Sequence, residues 1–282
     1  PASGNIQYTY ADGPSTINIV RDLKGQESGR LHPGSTTIAS GLTTTDYAEQ
    51  AFNTLDFDCD GFDDLVVSEA GANSDTGAVH VFWGSSSGLE VTPYDLTGLA
   101  SGERFGASVA NAGDVDGDGC EDLIVGVTGG KDNLGYTTGL AYVYHGGGRN
   151  HSAANWSKTG GTGPSANGDE FGGRVSSAGD VNGDGFDDVM VTAIAFEQGG
   201  FKGKVYLYLG GSGGLAQSPI WNTRGYWSNV IQGWSLAAIG DSNGDGFDDI
   251  ALGASGDLEA VSGYGRVQVY SGSSTGLMAV QN

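Results

Sequence analysis

Positive charge is scarce in this chain. Its 282 residues hold 12 Lys and Arg against 34 Asp and Glu, a formal net charge of −22. A surface of that sign repels a phosphate backbone, which argues against a nucleic-acid partner. Apolar runs are short, and none approaches the roughly 20 residues that a membrane-spanning helix needs. Membrane insertion is therefore not expected. Nothing at the N-terminus resembles a signal peptide, so an exported protein would be in its mature form here. Sustained 3.6-residue periodicity is missing, which leaves no place for helices. Proline is down to 6 residues, and no collagen period exists.

Glycine, by contrast, is abundant: 52 residues spread evenly among Val, Tyr, Thr and Ser. That composition suits many short strands joined by tight turns. The length allows one large β domain or two ordinary ones.

The acidic residues are not spread evenly. The strings "DFDCDGFDD" (56–64), "DVDGDGCED" (114–122), "DVNGDGFDD" (180–188) and "DSNGDGFDD" (241–249) hold 18 of the 34. Like charge crowded this tightly destabilises a fold unless a cation sits among it. The two cysteines, Cys59 and Cys120, each lie inside one of these strings. A disulfide or two small buried thiols would satisfy that placement, and buried thiols are the plainer reading.

The strings mark a repeat of about 60 residues. Before the later copies come "FGASVANAGD" (105–114), "FGGRVSSAGD" (171–180) and "WSLAAIGD" (234–241); after each string comes an apolar run, "LVV", "LIVGV", "VMVTA" or "IALGA". A third, alternating element follows: "GAVHVFWGSSSGL" (77–89), "GLAYVYHGGG" (139–148), "GKVYLYLGGSGGL" (203–215) and "GRVQVYSGSSTGL" (265–277). A weaker fourth strand is expected around Trp156 and Trp221. One unit is thus strand, acidic loop, strand, loop, strand, turn, strand. Four-stranded units of this kind pack face to face as the blades of an all-β propeller. Residues 1–45 are irregular. "GNIQYTY" (4–10) has the look of a third strand, "STINIV" (15–20) of a fourth, and "GRLHPGSTTIASG" (29–41) of further short strands. They would form a partial or aberrant blade continuous with four regular blades over 46–282. The whole is then a five-bladed propeller or a fragment of a larger one.

Counting from the first Asp, side-chain oxygens recur at positions 1, 3, 5 and 9: Asp56, Asp58, Asp60 and Asp64; Asp114, Asp116, Asp118 and Asp122; Asp180, Asn182, Asp184 and Asp188; Asp241, Asn243, Asp245 and Asp249. Position 6 is always Gly, which permits a sharp turn. The carbonyls at position 7, from Phe62, Cys120, Phe186 and Phe247, would complete an all-oxygen shell. Six or more oxygens at about 2.3–2.6 Å suit Ca²⁺ better than Mg²⁺ or a transition metal. Four structural calcium sites are expected. An EF-hand is excluded because position 12 is apolar and falls in a strand. Position 8, Asp63, Glu121, Asp187 or Asp248, is expected to be exposed.

"FGASVANAGDVDGDGCEDLIVGV" and "FGGRVSSAGDVNGDGFDDVMVTA" resemble FG-GAP repeats, the units of the propeller in integrin α subunits, found also in secreted bacterial proteins and some fungal lectins. The resemblance covers about residues 46–282. "FG" becomes Tyr47-Ala48 in the first copy and Trp234-Ser235 in the last, and the proline of "GAP" is absent. The resemblance implies calcium in the loop between the two inner strands. It further implies an extracellular location and a ligand face opposite the calcium. On that face Tyr136, Phe201 and Tyr264 are candidate ligand contacts; separately, Arg224, Tyr226 and Trp227 of the aromatic segment "WNTRGYWSNVIQGW" (221–234) lie in a predicted loop suited to stacking on a sugar or gripping a peptide. No nucleophile elbow or metal-binding His pair appears. The expectation is therefore a secreted adhesion or recognition module for a carbohydrate or protein ligand, doing no chemistry. The alternative is a polysaccharide lyase or hydrolase, or its accessory module. The incomplete first unit also allows an oligomer or a larger parent chain.

Overall fold

Short runs of alternating apolar residues, each closed by Gly or Asp, favour strands, and strands whose two faces are both apolar must be covered on both sides. The computed structural model describes residues 52–161, 168–196, 202–225, 231–255 and 265–279, with four two-residue strands nearer the N-terminus. It is an all-β structure of four antiparallel four-stranded sheets, each a meander in chain order. Blade 1 is Phe52–Leu55, Asp64–Glu69, Ala78–Phe82 and Tyr94–Thr97. Blade 2 is Phe105–Gly113, Asp122–Val127, Leu140–Tyr144 and Trp156–Thr159. Blade 3 is Phe171–Gly179, Asp188–Ala193, Lys204–Tyr208 and Trp221–Arg224. Blade 4 is Ile231–Gly240, Asp249–Ser255, Arg266–Ser271 and Met278–Ala279. In every blade the acidic string joins the first strand to the second. One short helical segment, Ala72–Asp75, interrupts the β pattern; Asn73 and Ser74 inside it are left-handed, at φ +53° and +62°.

The strand readings for 4–10, 15–20 and 29–41, and the division at residue 45, lie outside the described residues except for short pairings. Ile6–Gln7 pairs with Val20–Arg21, and Thr16–Ile17 with Ala39–Ser40.

Successive side chains of a strand point to opposite faces, so each second strand serves two cores. Val66, Val79 and Val81 of blade 1 pack with Leu123, Val125 and Val127 of blade 2. Ile124, Ala141 and Val143 of blade 2 pack with Val189, Val191 and Tyr208 of blade 3. Met190, Val205 and Leu207 of blade 3 pack with Ile250, Leu252 and Tyr270 of blade 4. Rings tie the outer strands across the same joints: Trp156 meets Tyr208 at 5.2 Å and Trp221 meets Tyr270 at 4.9 Å, both edge-on.

The FG pair is a close-approach device. Phe171 is buried, and Gly172 follows it at φ +82°. A Cβ on Gly172 would lie 2.1 Å from the Leu140 carbonyl oxygen of the preceding blade. Glycine alone lets the two backbones meet there.

Candidate metal centres at the blade joints

Position 1 of each loop organises its own turn. Asp114 accepts hydrogen bonds from the backbone N–H of Gly117 at 2.7 Å, Asp118 at 3.1 Å and Gly119 at 2.9 Å. Asp180 accepts the equivalent three from Gly183, Asp184 and Gly185, and Asp241 from Gly244, Asp245 and Gly246. The Gly246 N–H and its neighbours hold the Asp241 carboxyl below the usual carboxylate range.

Position 9 is wholly buried in all four loops: Asp64, Asp122, Asp188 and Asp249 are each 0 % exposed. One oxygen accepts the position-2 N–H, from Phe57, Val115, Val181 or Ser242, at 2.8–3.1 Å. The other accepts an N–H just beyond the third strand, from Gly84, Gly146, Gly210 or Gly272, at 2.6–3.0 Å. This carboxylate therefore ties loop, second strand and third strand together within one blade. Burial pushes Asp64 up to about 6 and both Asp122 and Asp188 up to about 7, against the pull of those N–H donors.

Carboxylate oxygens of Asp56, Asp58 and Asp64 lie within 4.8 Å of one another, and so do those of Asp114, Asp116 and Asp118. Loops 3 and 4 place Asn182 and Asn243 at position 3, where Asn182 Nδ2 donates to Asp184 Oδ2 at 2.9 Å and Asn243 Oδ1 accepts the Asp245 N–H at 2.9 Å. The Asp58 side chain is only 4 % exposed, and its Oδ1 is buried with no hydrogen-bond partner. A buried carboxylate oxygen without a donor is costly unless a cation faces it. The donors are oxygens throughout, so the residues present fit a hard divalent ion.

The loops also join blade to blade. Glu121 accepts the Asp56 N–H at 2.7 Å, Asp187 the Asp114 N–H at 2.8 Å, and Asp248 the Asp180 N–H at 3.1 Å. These position-8 residues were expected to be exposed, and for three of the four that expectation is corrected. Each is half-buried against the preceding loop, and burial raises the Asp187 pKa. Asp63 alone is exposed. A second contact runs from position 7 to position 4 of the preceding loop. The Phe186 ring covers Gly117 and the Phe247 ring covers Gly183. Between loops 1 and 2 the same two positions are Cys59 and Cys120, and they form a disulfide. The reading of two buried free thiols is thus corrected: Cys59 is exposed, and the blade offset brings the Cα atoms to 5.3 Å.

Two residues at this face carried no sequence signal of their role. Arg149 Nε binds Asp58 Oδ2, Nη1 binds Glu90 at 2.6 Å, and Nη2 approaches Asp60 at 3.4 Å. His145 Nδ1 lies 2.7 Å from Asp116 Oδ2.

Of the candidate ligand contacts, Tyr136 is half-buried in a loop of blade 2, and Arg224 is exposed at the end of blade 3. Phe201, Tyr226, Trp227 and Tyr264 lie outside the described residues. At the ends of the inner strands away from the acidic loops, a small hollow is lined by Ala70, Arg104, Thr128, Glu170, Arg174 and Ile194. The Arg174 guanidinium lies 5.6 Å over the ring of Trp234, which is 48 % exposed.

Comparison with known proteins gives a family. An FG-GAP-like repeat matches residues 56–125, and an FG-GAP repeat matches 171–208 and 232–270, together just over half of the chain. Integrin alpha-4 of Xenopus laevis is 31% identical over 200 residues, 69% of this chain and 18% of that protein. Integrin alpha-8 of Mus musculus is 32% identical over 184 residues, 61% of this chain and 15% of that protein. The chain thus spans less than a fifth of the length of these relatives. Among solved structures, a Bacillus licheniformis rhamnogalacturonan lyase aligns with a TM-score of 0.48 and 14% identity, over 83% of this chain and 51% of the lyase. Rhamnogalacturonan lyase YesW aligns at 0.46 and 15% identity, over 92% and 54%. The expectation that the chain does no chemistry is withdrawn on this finding.

Proposed function

Because this chain belongs to the FG-GAP repeat family, we propose that it is an extracellular recognition module whose blades are pinned by calcium at the acidic loops. Positions 1, 3, 5 and 9 would supply side-chain oxygens, and position 7 a carbonyl, in each of four structural sites. The observation that carries this reading is Asp58 Oδ1, a buried, unpartnered carboxylate oxygen in a cluster of carboxylates. The position of the loops supports it too, since each loop of blades 2 to 4 reaches back to the loop before it. An ion held there would stiffen the joint as well as the loop.

The ligand would sit on the face away from the loops. Arg104, Arg174 and the exposed Trp234 are described groups at that end suited to a carboxylate or a sugar ring. A carbohydrate or a protein ligand both meet that description, and secretion would bring either within reach.

Calcium is tested by thermal melting. At tenfold its dissociation constant, one ion adds about 1.4 kcal/mol to the folded state, and several sites add up. Melting in excess EGTA should fall by many degrees and recover with CaCl₂. An unchanged melting curve would end the calcium reading. Recognition is tested on a glycan array and on immobilised matrix proteins, using wild type and the Arg104→Ala/Arg174→Ala double variant. Binding that survives the double variant would move the ligand elsewhere on the molecule.

A further inference from the structure

The four loops differ in charge at one ligand position. Loops 1 and 2 have Asp at position 3, Asp58 and Asp116, whereas loops 3 and 4 have Asn182 and Asn243. The protein's own nitrogen-bearing side chains follow that difference. Arg149 sits on Asp58 and His145 on Asp116. Among the described residues, no cationic side chain pairs with a carboxylate of loop 3 or loop 4. In a chain with 12 Lys and Arg against 34 acids, a guanidinium set among three carboxylates relieves the like-charge repulsion of loop 1 without any ion.

Arg149 is well placed to act. Its planar fork reaches Asp58, Asp60 and Glu90 together, and its guanidinium carbon lies 5.2 Å over the Trp83 ring. It thereby engages two of the four side-chain donors of loop 1. Asp60 stands outside the convergent set of Asp56, Asp58 and Asp64. Loop 1 is also held without any ion. The Cys59–Cys120 disulfide, the Glu121 bond to the Asp56 N–H, and the Gly147 N–H on the Phe57 carbonyl at 3.0 Å all tie it to blade 2. The Phe57 ring stacks on His151 with centroids 4.0 Å apart.

We propose that Arg149 is a tethered cation that competes with a divalent ion for Asp58 and Asp60, so that loop 1 fills last and more weakly than loops 3 and 4. The inference rests on the calcium reading above. A positive charge fixed beside the site repels an incoming ion and must swing away before Asp60 can join the donors. Loop 1 then responds to calcium over a higher concentration range than the rest of the molecule. Its shape meanwhile is kept by the disulfide.

The test is calorimetric titration of the full chain with CaCl₂, on wild type and on Arg149→Gln. Wild type should show one site at least tenfold weaker than the others. Arg149→Gln should bring that site into the range of the rest and leave the others unchanged. Arg149→Lys keeps the charge but loses the fork, and should fall between the two. Trp83 emission gives a readout specific to this loop: in wild type it should change only in the late, weak phase, with Trp83→Phe as the control. Superimposable isotherms for wild type and Arg149→Gln, with calcium still taken up, would overturn this inference alone. No calcium uptake by either protein would overturn the calcium reading and this inference with it.

Discussion

The joint between blades 3 and 4 and the far side of blade 4 present the same surface type, covered in one case and, among the described residues, without a neighbouring blade in the other. At the joint, Val205 and Leu207 are fully buried, the Phe247 ring covers Gly183, and Asp248 accepts the Asp180 N–H. On the far side, Val267 and Val269 occupy the matching strand positions at 69 % and 38 % exposure. Gly240 at the end of the first strand and Gly244 of loop 4 would have room for a Cβ with nothing within 4 Å. Yet loop 4 is turned in the same way, with Asp241 accepting its three N–H groups and Asp249 buried. The difference separates two jobs within one nine-residue string. The side chains at positions 1 and 9 shape the loop from within its blade, while the position-1 backbone and the residues at positions 2, 4, 7 and 8 address a neighbour.

That division can be broken experimentally. The largest effect belongs to the Cys59–Cys120 disulfide, which joins residues 61 apart and by loop entropy contributes up to about 4 kcal/mol. The Cys59→Ser/Cys120→Ser double variant should show that loss in urea unfolding, and a loss below about 1 kcal/mol would mean that the joint holds without it. Next comes position 9. Asp122→Ala leaves the buried N–H groups of Val115 and Gly146 unpaired, and should cost about 3 kcal/mol in EGTA. Asp249→Ala should cost a similar amount although no described blade covers the far side of its own, because its partners Ser242 and Gly272 are in its own blade. A much smaller loss at Asp249 would refute the division.

Position 8 should show the opposite pattern. Asp187→Ala removes the acceptor for the Asp114 N–H and should cost about 1–2 kcal/mol, whereas Asp63→Ala should leave the urea midpoint unchanged. Phe247→Ala and Phe62→Ala sharpen the same contrast at position 7. One ring covers Gly183, the other is 43 % exposed, and only the first should lower the midpoint. A test in pH probes the same buried carboxylates. The raised values of Asp64, Asp122 and Asp188 mean that the folded chain binds more protons than the unfolded one between about pH 4 and 7. Stability in calcium-depleted buffer should therefore fall as pH rises through that window. Melting in buffer stripped of calcium on a chelating resin should be higher at pH 5 than at pH 7.5, and added calcium should narrow the gap.

Much of this was legible from residue order. The strands announce themselves through apolar alternation, and the loops through Asp, Asn and Gly at fixed spacing, since both patterns are satisfied by neighbours a few residues away. Position 2 changes character along the chain in step with burial. Phe57, Val115 and Val181 hold that position in the other loops and are fully buried, whereas Ser242 is exposed. The enzymatic question was not legible, because chemistry depends on a few groups gathered from several loops.

By itself the sequence determined a chain of four-stranded units with an oxygen-rich turn in each, because strand pairing and Asx turns are local physics. Only the tertiary structure decided which turn touches which. The disulfide, the Phe-on-Gly contacts and the Arg149 bridge join residues some 60–90 apart in sequence. Partners that distant are chosen by how far one sheet is offset against the next, and that offset is set by the packing of whole blades.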